Sequence, residues 1–176
     1  MRKIAAAASV FVALLAGAYL IIEASPAARL PWDDVSKARW PEAFRAVEIP
    51  ARDGGIQKGY FRRAEGPAPL IVSLHTWSGD WTQRDALAQK ALDRGWNYLH
   101  PDIRGPNTRP EACLSDLVLD DIDRAIAYGR EAAEVTHIYV VGASGGGYAA
   151  LGACLHPPKR LARVLAWGRT TDRGAW

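Results

Sequence analysis

The stretch that most constrains this 176-residue chain reads His137-Ile-Tyr-Val-Val-Gly-Ala-Ser-Gly-Gly-Gly-Tyr148. Residues 138–141 are β-branched or aromatic and read as a strand. Gly142, Ala143, Ser144, Gly145 and Gly146 follow at once, and the Ala-rich residues 148–154 read as a helix. Strand, G-x-S-x-G and helix in that order are the signature of a nucleophile elbow. The serine of such an elbow sits on a turn so tight that its backbone is strained. Gly142 and Gly146, two residues to either side, remove the Cβ atoms that would hold strand and helix apart. Ser144 is therefore the candidate nucleophile. Gly145 N–H, at the helix start, is placed to stabilise a developing oxyanion. The competing reading is a Gly-rich loop that binds phosphate or only turns a corner.

Composition narrows the rest. A chain of 176 residues is expected to form one domain with a proper core. Hydrophobic content of 49% and charged content of 23% describe an ordinary globular protein. The net charge is only +3, and Lys and Arg are scattered without a basic stripe of interleaved aromatics, which argues against nucleic acid as a partner. Cys113 and Cys154 make no metal-ligand spacing. The alternation of strands and helices described next puts them at different heights, against a disulfide.

Arg2-Lys3 followed by the uncharged, mostly apolar residues 4–22 reads as an export signal, with Ala16-Gly17-Ala18 as a small-x-small cleavage site. The same run is long enough to span a bilayer if it stays uncleaved, so cleaved signal and membrane anchor both stand. Residues 23–44 carry Pro26, Pro31 and Pro41 with Trp32 and Trp40 among them; they read as a linker whose tryptophans clamp onto the domain. Residues 45–51 and 56–63 are strand-like around Asp53-Gly54-Gly55, a hairpin turn signal. Residues 70–74 form a buried strand, 82–94 an amphipathic helix, and 97–100 a short strand. Ser115 is placed to cap a helix to about Ala133, with Val118, Ile122, Ala125 and Ile126 on its core face. Its Asp116, Asp120, Asp121 and Asp123 read as a solvated helix face and not as a metal site. After the elbow, residues 161–167 form a further strand.

A hairpin followed by repeated strand–helix units predicts an α/β fold whose sheet turns mostly parallel, with helices on both faces. Sites in such sheets lie beyond the carboxyl ends of the strands. The loop after His75, the loop around Arg104, and Ser144 all fall at that end.

On five segments the chain resembles the α/β-hydrolases, and among them exported prolyl-oligopeptidase-like and acetyl-xylan-esterase-like serine hydrolases. They are Ser73-Leu-His-Thr-Trp-Ser-Gly-Asp80, His100-Pro-Asp-Ile-Arg-Gly-Pro-Asn107, Pro110-Glu-Ala-Cys113, Gly142-Ala-Ser-Gly-Gly-Gly147 and Ala166-Trp167. The resemblance covers residues 47–176 and implies an α/β-hydrolase domain over 45–176. It makes Ser144 the nucleophile of an acyl-enzyme and Gly145 N–H one oxyanion donor. The second donor would be Trp77 N–H, or else that of Thr76. Arg104, Asn107 and Arg109 would hold a polar substrate; the alternative pairs those arginines with Asp102 or Glu111. The implied substrate is a small-molecule or carbohydrate ester, or a peptide. No cofactor or metal is implied, and oligomeric state is left open.

Two departures qualify the resemblance. A serine needs a base to take its proton and a third group to orient that base. In α/β-hydrolases the acid and the histidine follow the serine, where this chain offers only Asp172 and His156. His156 ends the elbow helix, roughly 18 Å from the serine at about 1.5 Å per residue. His137 begins the elbow strand, roughly 23 Å away at about 3.3 Å per residue. His100 ends a strand that should not adjoin the elbow, and His75 shapes the oxyanion loop in relatives. Asp172 is a candidate acid only in a variant arrangement. The family also continues with two more strands and their helices, so the chain reads as the N-terminal part of a longer hydrolase, with residues 161–167 left as an exposed edge.

Overall fold

The computed structural model describes residues 39–155, 157 and 161–167. The apolar leader, most of the linker with Trp32, His156 and Asp172 lie outside them. Strands β1 (Arg45–Pro50) and β2 (Ile56–Arg62) form the expected antiparallel hairpin. Its turn is closed by Asp53, whose Oδ1 accepts the Gly55 N–H at 3.2 Å, while Ala51 N–H donates to the Gly55 carbonyl at 2.8 Å. With β3 (Ala68–Leu74), β4 (Asn97–Pro101), β5 (Val135–Ala143) and β6 (Leu161–Trp167) the order across the sheet is β1-β2-β4-β3-β5-β6. β2 meets β4 antiparallel, and every pairing from β4 to β6 is parallel. β4 is therefore separated from the elbow strand β5 by β3.

Alternation along the strands assigns each face its helix. Leu70, Val72 and Leu74 of β3, with Leu99, Ile138 and Val140, face α2 (Asp116–Ala132) and α3 (Gly145–Gly152). Ile71 and Tyr98 face α1 (Ala86–Asp93) through its buried Ala88 and Ala91. Val118, Ile122, Ala125 and Ile126 are all buried, as their helical spacing predicts. A fully buried aliphatic side chain contributes roughly 1.5–3 kcal/mol, so this stripe fastens α2 to the sheet. Trp40 closes the α1 face, stacking on Tyr60 at 4.6 Å and meeting Phe44 edge-on at 5.4 Å.

Two local readings change. α1 begins at Ala86, four residues later than expected, because Asp85 caps it by accepting the Leu87 N–H at 2.7 Å. Upstream, Asp80 draws the chain into a turn, its Oδ1 accepting the Thr82 N–H at 2.7 Å. α3 begins at Gly145, the helix start expected for that residue, with Ser144 as the N-cap. Asp121 is not part of a solvated face: it is 1% exposed, and Arg104 turns its guanidinium onto it.

Candidate active site

Ser144 stands between β5 and α3 with φ 50° and ψ −122°, a region that costs a non-glycine residue about 1–3 kcal/mol. Its neighbours hold it there. Ser144 N–H donates to the Trp167 carbonyl at 2.8 Å, tying the turn to the end of β6, and Ser144 O accepts the Tyr148 N–H at 3.1 Å. A Cβ on Gly142 would lie 2.1 Å from the Gly146 carbonyl oxygen, and one on Gly146 would lie 2.4 Å from those of His75 and Leu74. Strand, helix and the loop after β3 therefore meet backbone to backbone, which only glycine permits. The serine is half-buried at the carboxyl end of the sheet.

The loop after β3 runs directly beside it. A Cβ on Gly145 would sit 2.8 Å from both N and Cα of Trp77. The two amides expected to form the oxyanion site, Gly145 N–H and Trp77 N–H, thus belong to backbones in van der Waals contact. Thr76 is the weaker candidate because its N–H already donates to Gln83 Oε1 at 3.0 Å. Gln83 was not singled out from the sequence; it also receives the Thr76 hydroxyl at 3.1 Å and so pins the loop from inside.

Of the described histidines, His75 and His100 are tied to backbone carbonyls and His137 lies remote from the serine. His75 is 3% exposed, with Nδ1 2.9 Å from the Thr76 carbonyl and Nε2 2.5 Å from the Asp102 carbonyl. Both ring nitrogens face backbone oxygens. His100 lies on β4 with Nδ1 2.7 Å from the Ser73 carbonyl, and burial pushes its imidazole down against the opposing pull of the Asp85 carboxylate. Asp85 accepts from the hydroxyls of Ser73 and Tyr98, a buried knot that supports β3, β4 and α1 together. Its position just before an apolar-periodic run was a readable N-cap signal. His137 is exposed near the far end of β5.

Arg104 and Asn107 part company. Asn107 lines a cavity of about 10 Å³ with His75, Thr76, Gly145 and Tyr148, and its N–H donates to the Trp77 carbonyl at 2.9 Å. Arg104 is engaged elsewhere. Its NH1 is 2.7 Å and its NH2 3.2 Å from the Asp53 carboxylate, its NH2 is 3.0 Å from Asp121 Oδ1, and its Nε is 2.7 Å from Asp121 Oδ2. Arg104 is thus held in a double ion pair, with Asp53 and Asp121 and not with Asp102 or Glu111. Arg109 is exposed and donates to the Arg104 carbonyl at 3.3 Å. On the α1 side of the serine a mostly apolar groove of about 620 Å³ extends from His75 past Ala143 to Leu165 and Trp167 of β6.

No family model matches the chain. Solved structures do. An esterase from Pyrococcus furiosus superposes with a TM-score of 0.63 at 18% identity, over 76% of this chain and 56% of the esterase. Prolyl oligopeptidase B from Galerina marginata gives 0.60 at 18% identity, over 76% of this chain and 22% of that one. An acylaminoacyl peptidase from Pyrococcus horikoshii gives 0.59 at 19% identity, over 73% and 24%. The shared feature is the α/β-hydrolase fold. The chain spans little more than half the length of the esterase and about a quarter or less of the two peptidases.

Proposed function

We propose that this chain carries the nucleophile half of a serine hydrolase that cleaves carboxylic esters, with an acylated carbohydrate as the preferred substrate class. The observation that carries the reading is the strained Ser144 held between Gly142 and Gly146 with the Trp77 backbone against Gly145. In the reaction Ser144 Oγ attacks the acyl carbon and loses its proton to a base, while the carbonyl oxygen gains charge between the Gly145 and Trp77 amides. Such donors supply about 3–4 kcal/mol of transition-state stabilisation each. The alcohol leaves with a proton, and water attacks the acyl-enzyme to release the acid and restore the serine. Asn107, on the rim of the site, is the remaining candidate for holding a polar substrate. The likeness to a solved esterase supports the ester reading. The likeness to prolyl oligopeptidase and acylaminoacyl peptidase supports a peptidase variant with the same elbow chemistry. Export, through the amino-terminal basic pair and apolar run, belongs to the same proposal.

A second reading rests on a specific observation. Among the described residues His75 has both ring nitrogens on backbone carbonyls, His100 lies on β4, separated from the elbow strand by β3, and His137 stands near the far end of β5, so the chain by itself can be a binding remnant, or a part that acts only when a base is supplied from elsewhere. A fluorophosphonate probe separates the readings, because it reacts only with an activated serine. On the hydrolase reading, intact mass shows one adduct that Ser144→Ala abolishes. A folded sample that takes up no probe would sink it for the chain alone. Comparing a short acyl ester with a peptide amide then divides esterase from peptidase.

A further inference from the structure

Arg104 begins as a puzzle of backbone strain. Ile103 has φ 37°, Arg104 φ 77° and Gly105 φ 72°, three consecutive residues in a region where a β-branched residue is a genuine outlier. Such a conformation persists only where its surroundings over-determine it. Here two anchors do so from opposite sides. The Ile103 side chain is 4% exposed in the core beside Val118. The Arg104 guanidinium forks onto Asp53 of the β1–β2 turn and Asp121 of α2.

What the strained turn delivers is a set of three contacts with the loop that carries Trp77. The Asp102 carbonyl meets His75 Nε2 at 2.5 Å, Asp102 Oδ1 accepts the Trp81 N–H at 3.1 Å, and Asn107 N–H donates to the Trp77 carbonyl at 2.9 Å. The loop is thus gripped near both ends and at Trp77 itself by the segment 102–107. We propose that Arg104 is a positioning residue: by locking the 102–107 turn to the hairpin and α2, it fixes the Trp77 backbone against Gly145 and so sets the oxyanion geometry beside Ser144. The mechanical part stands on the contacts alone, and the catalytic part rests on the hydrolase reading above. The link is long in sequence, since Asp53 lies 51 residues before Arg104, and short in space.

Lysine cannot reproduce the planar fork, yet it keeps a positive charge near the buried Asp121. Arg104→Lys is therefore expected to melt cooperatively while losing the lock. A companion, Arg104→Met with Asp121→Leu, replaces the buried pair by apolar side chains, an exchange that is often neutral for stability. Two readouts are taken per folded molecule. Amide exchange at Asn107 should quicken at least about tenfold with β3 amides unchanged, as local opening without global unfolding requires. Probe labelling of Ser144 should slow about tenfold to hundredfold, the scale of a misplaced catalytic group. If the wild-type serine takes no label, the hydrolase reading fails, and exchange at Asn107 alone decides whether Arg104 holds the loop. If either variant folds and keeps wild-type exchange at Asn107, the proposal is overturned. If both variants fail to fold, Asp53→Asn at the surface is read in the same way, a quickened Asn107 supporting the lock and an unchanged one overturning it.

Discussion

The centre of the sheet and its β6 edge are unlike. At β3 and β4 nearly every residue is buried, with α1 on one face and α2 on the other. At β6 none is fully buried: Leu165 is 46% exposed and Trp167 64%. Ser144 stands on the seam. Its glycine-lined turn presses on the β3 loop, while its own N–H is held by the Trp167 carbonyl of the exposed strand. The loop leaving the packed centre thus lies against the amides beside Ser144, and the β6 edge meets the turn through the Trp167 carbonyl. On the hydrolase reading proposed above, the Gly145 and Trp77 amides would be set by well-packed neighbours, while Ser144 also leans on the edge strand.

The largest expected effect comes from filling the seam. Gly142→Ala places a methyl 2.1 Å from backbone that cannot move aside, and should cost about 3 kcal/mol or more in a urea unfolding series, at the upper end of overpacking penalties. A variant as stable as the parent would mean that strand and helix do not meet at this point. Next in size is a matched pair of truncations. Leu70→Ala, at a side chain 0% exposed, should cost about 2–5 kcal/mol. Leu165→Ala should cost only about 0.5–1 kcal/mol, because nearly half of that side chain already faces water. Equal losses would erase the contrast between centre and edge. Amide exchange sharpens it further. The β5-bonded amides of β6, and Ser144 N–H with them, should exchange at least about a hundredfold faster than those of β3, a difference of about 3 kcal/mol in opening free energy.

Much of the elbow, the hairpin and α2 was legible in the sequence, and the reason is locality. Gly142 and Gly146 stand at fixed offsets from Ser144, the Asp53-Gly54-Gly55 turn lies within one hairpin, and the α2 stripe repeats every three or four residues. Each is a pattern complete within a dozen residues. What sequence reading placed wrongly depends on pairs far apart along the chain. The sequence left Arg104 open between a substrate contact and a pair with Asp102 or Glu111, and missed its partners, Asp53 and Asp121, because they are 51 and 17 residues away. Asp121 looked solvated because its helix neighbours Asp116 and Asp120 are polar too; only the approach of Arg104 and of Gln57, which donates to the Asp121 carbonyl at 2.7 Å, explains its burial. The start of α1 was misplaced for a local reason: Asp85 and Asp80 compete as turn and cap residues, and the side-chain bond to Leu87 settles the competition.

The smallest effect expected is a pH effect, and its sign distinguishes the two carboxylates that share Arg104. The Arg104 hydrogen bond, with help from Gly55 N–H, pulls Asp53 from its ordinary 3.8 down to about 2. A carboxylate depressed in the folded state adds stability that is complete above its unfolded value and disappears as pH falls through the folded one. Asp121 runs the other way: burial raises it, and the Arg104 bonds only partly offset that rise. Its charge is therefore a burden at neutral pH that protonation relieves on the way down. Comparing urea midpoints of the parent and Asp53→Asn from pH 7 to pH 2 isolates the first effect, since Asp121 is common to both. The difference should be constant above about pH 5, fall as pH drops below it to a small remainder at about pH 2, and disappear only below that, within the window those values define. It should be modest and shrink further in salt, because the Asp53 side chain is 37% exposed. A difference that persists unchanged at pH 2 would show that Asp53 acts through the geometry of its turn and not through its charge, and the hairpin would then be tied to Arg104 by shape alone.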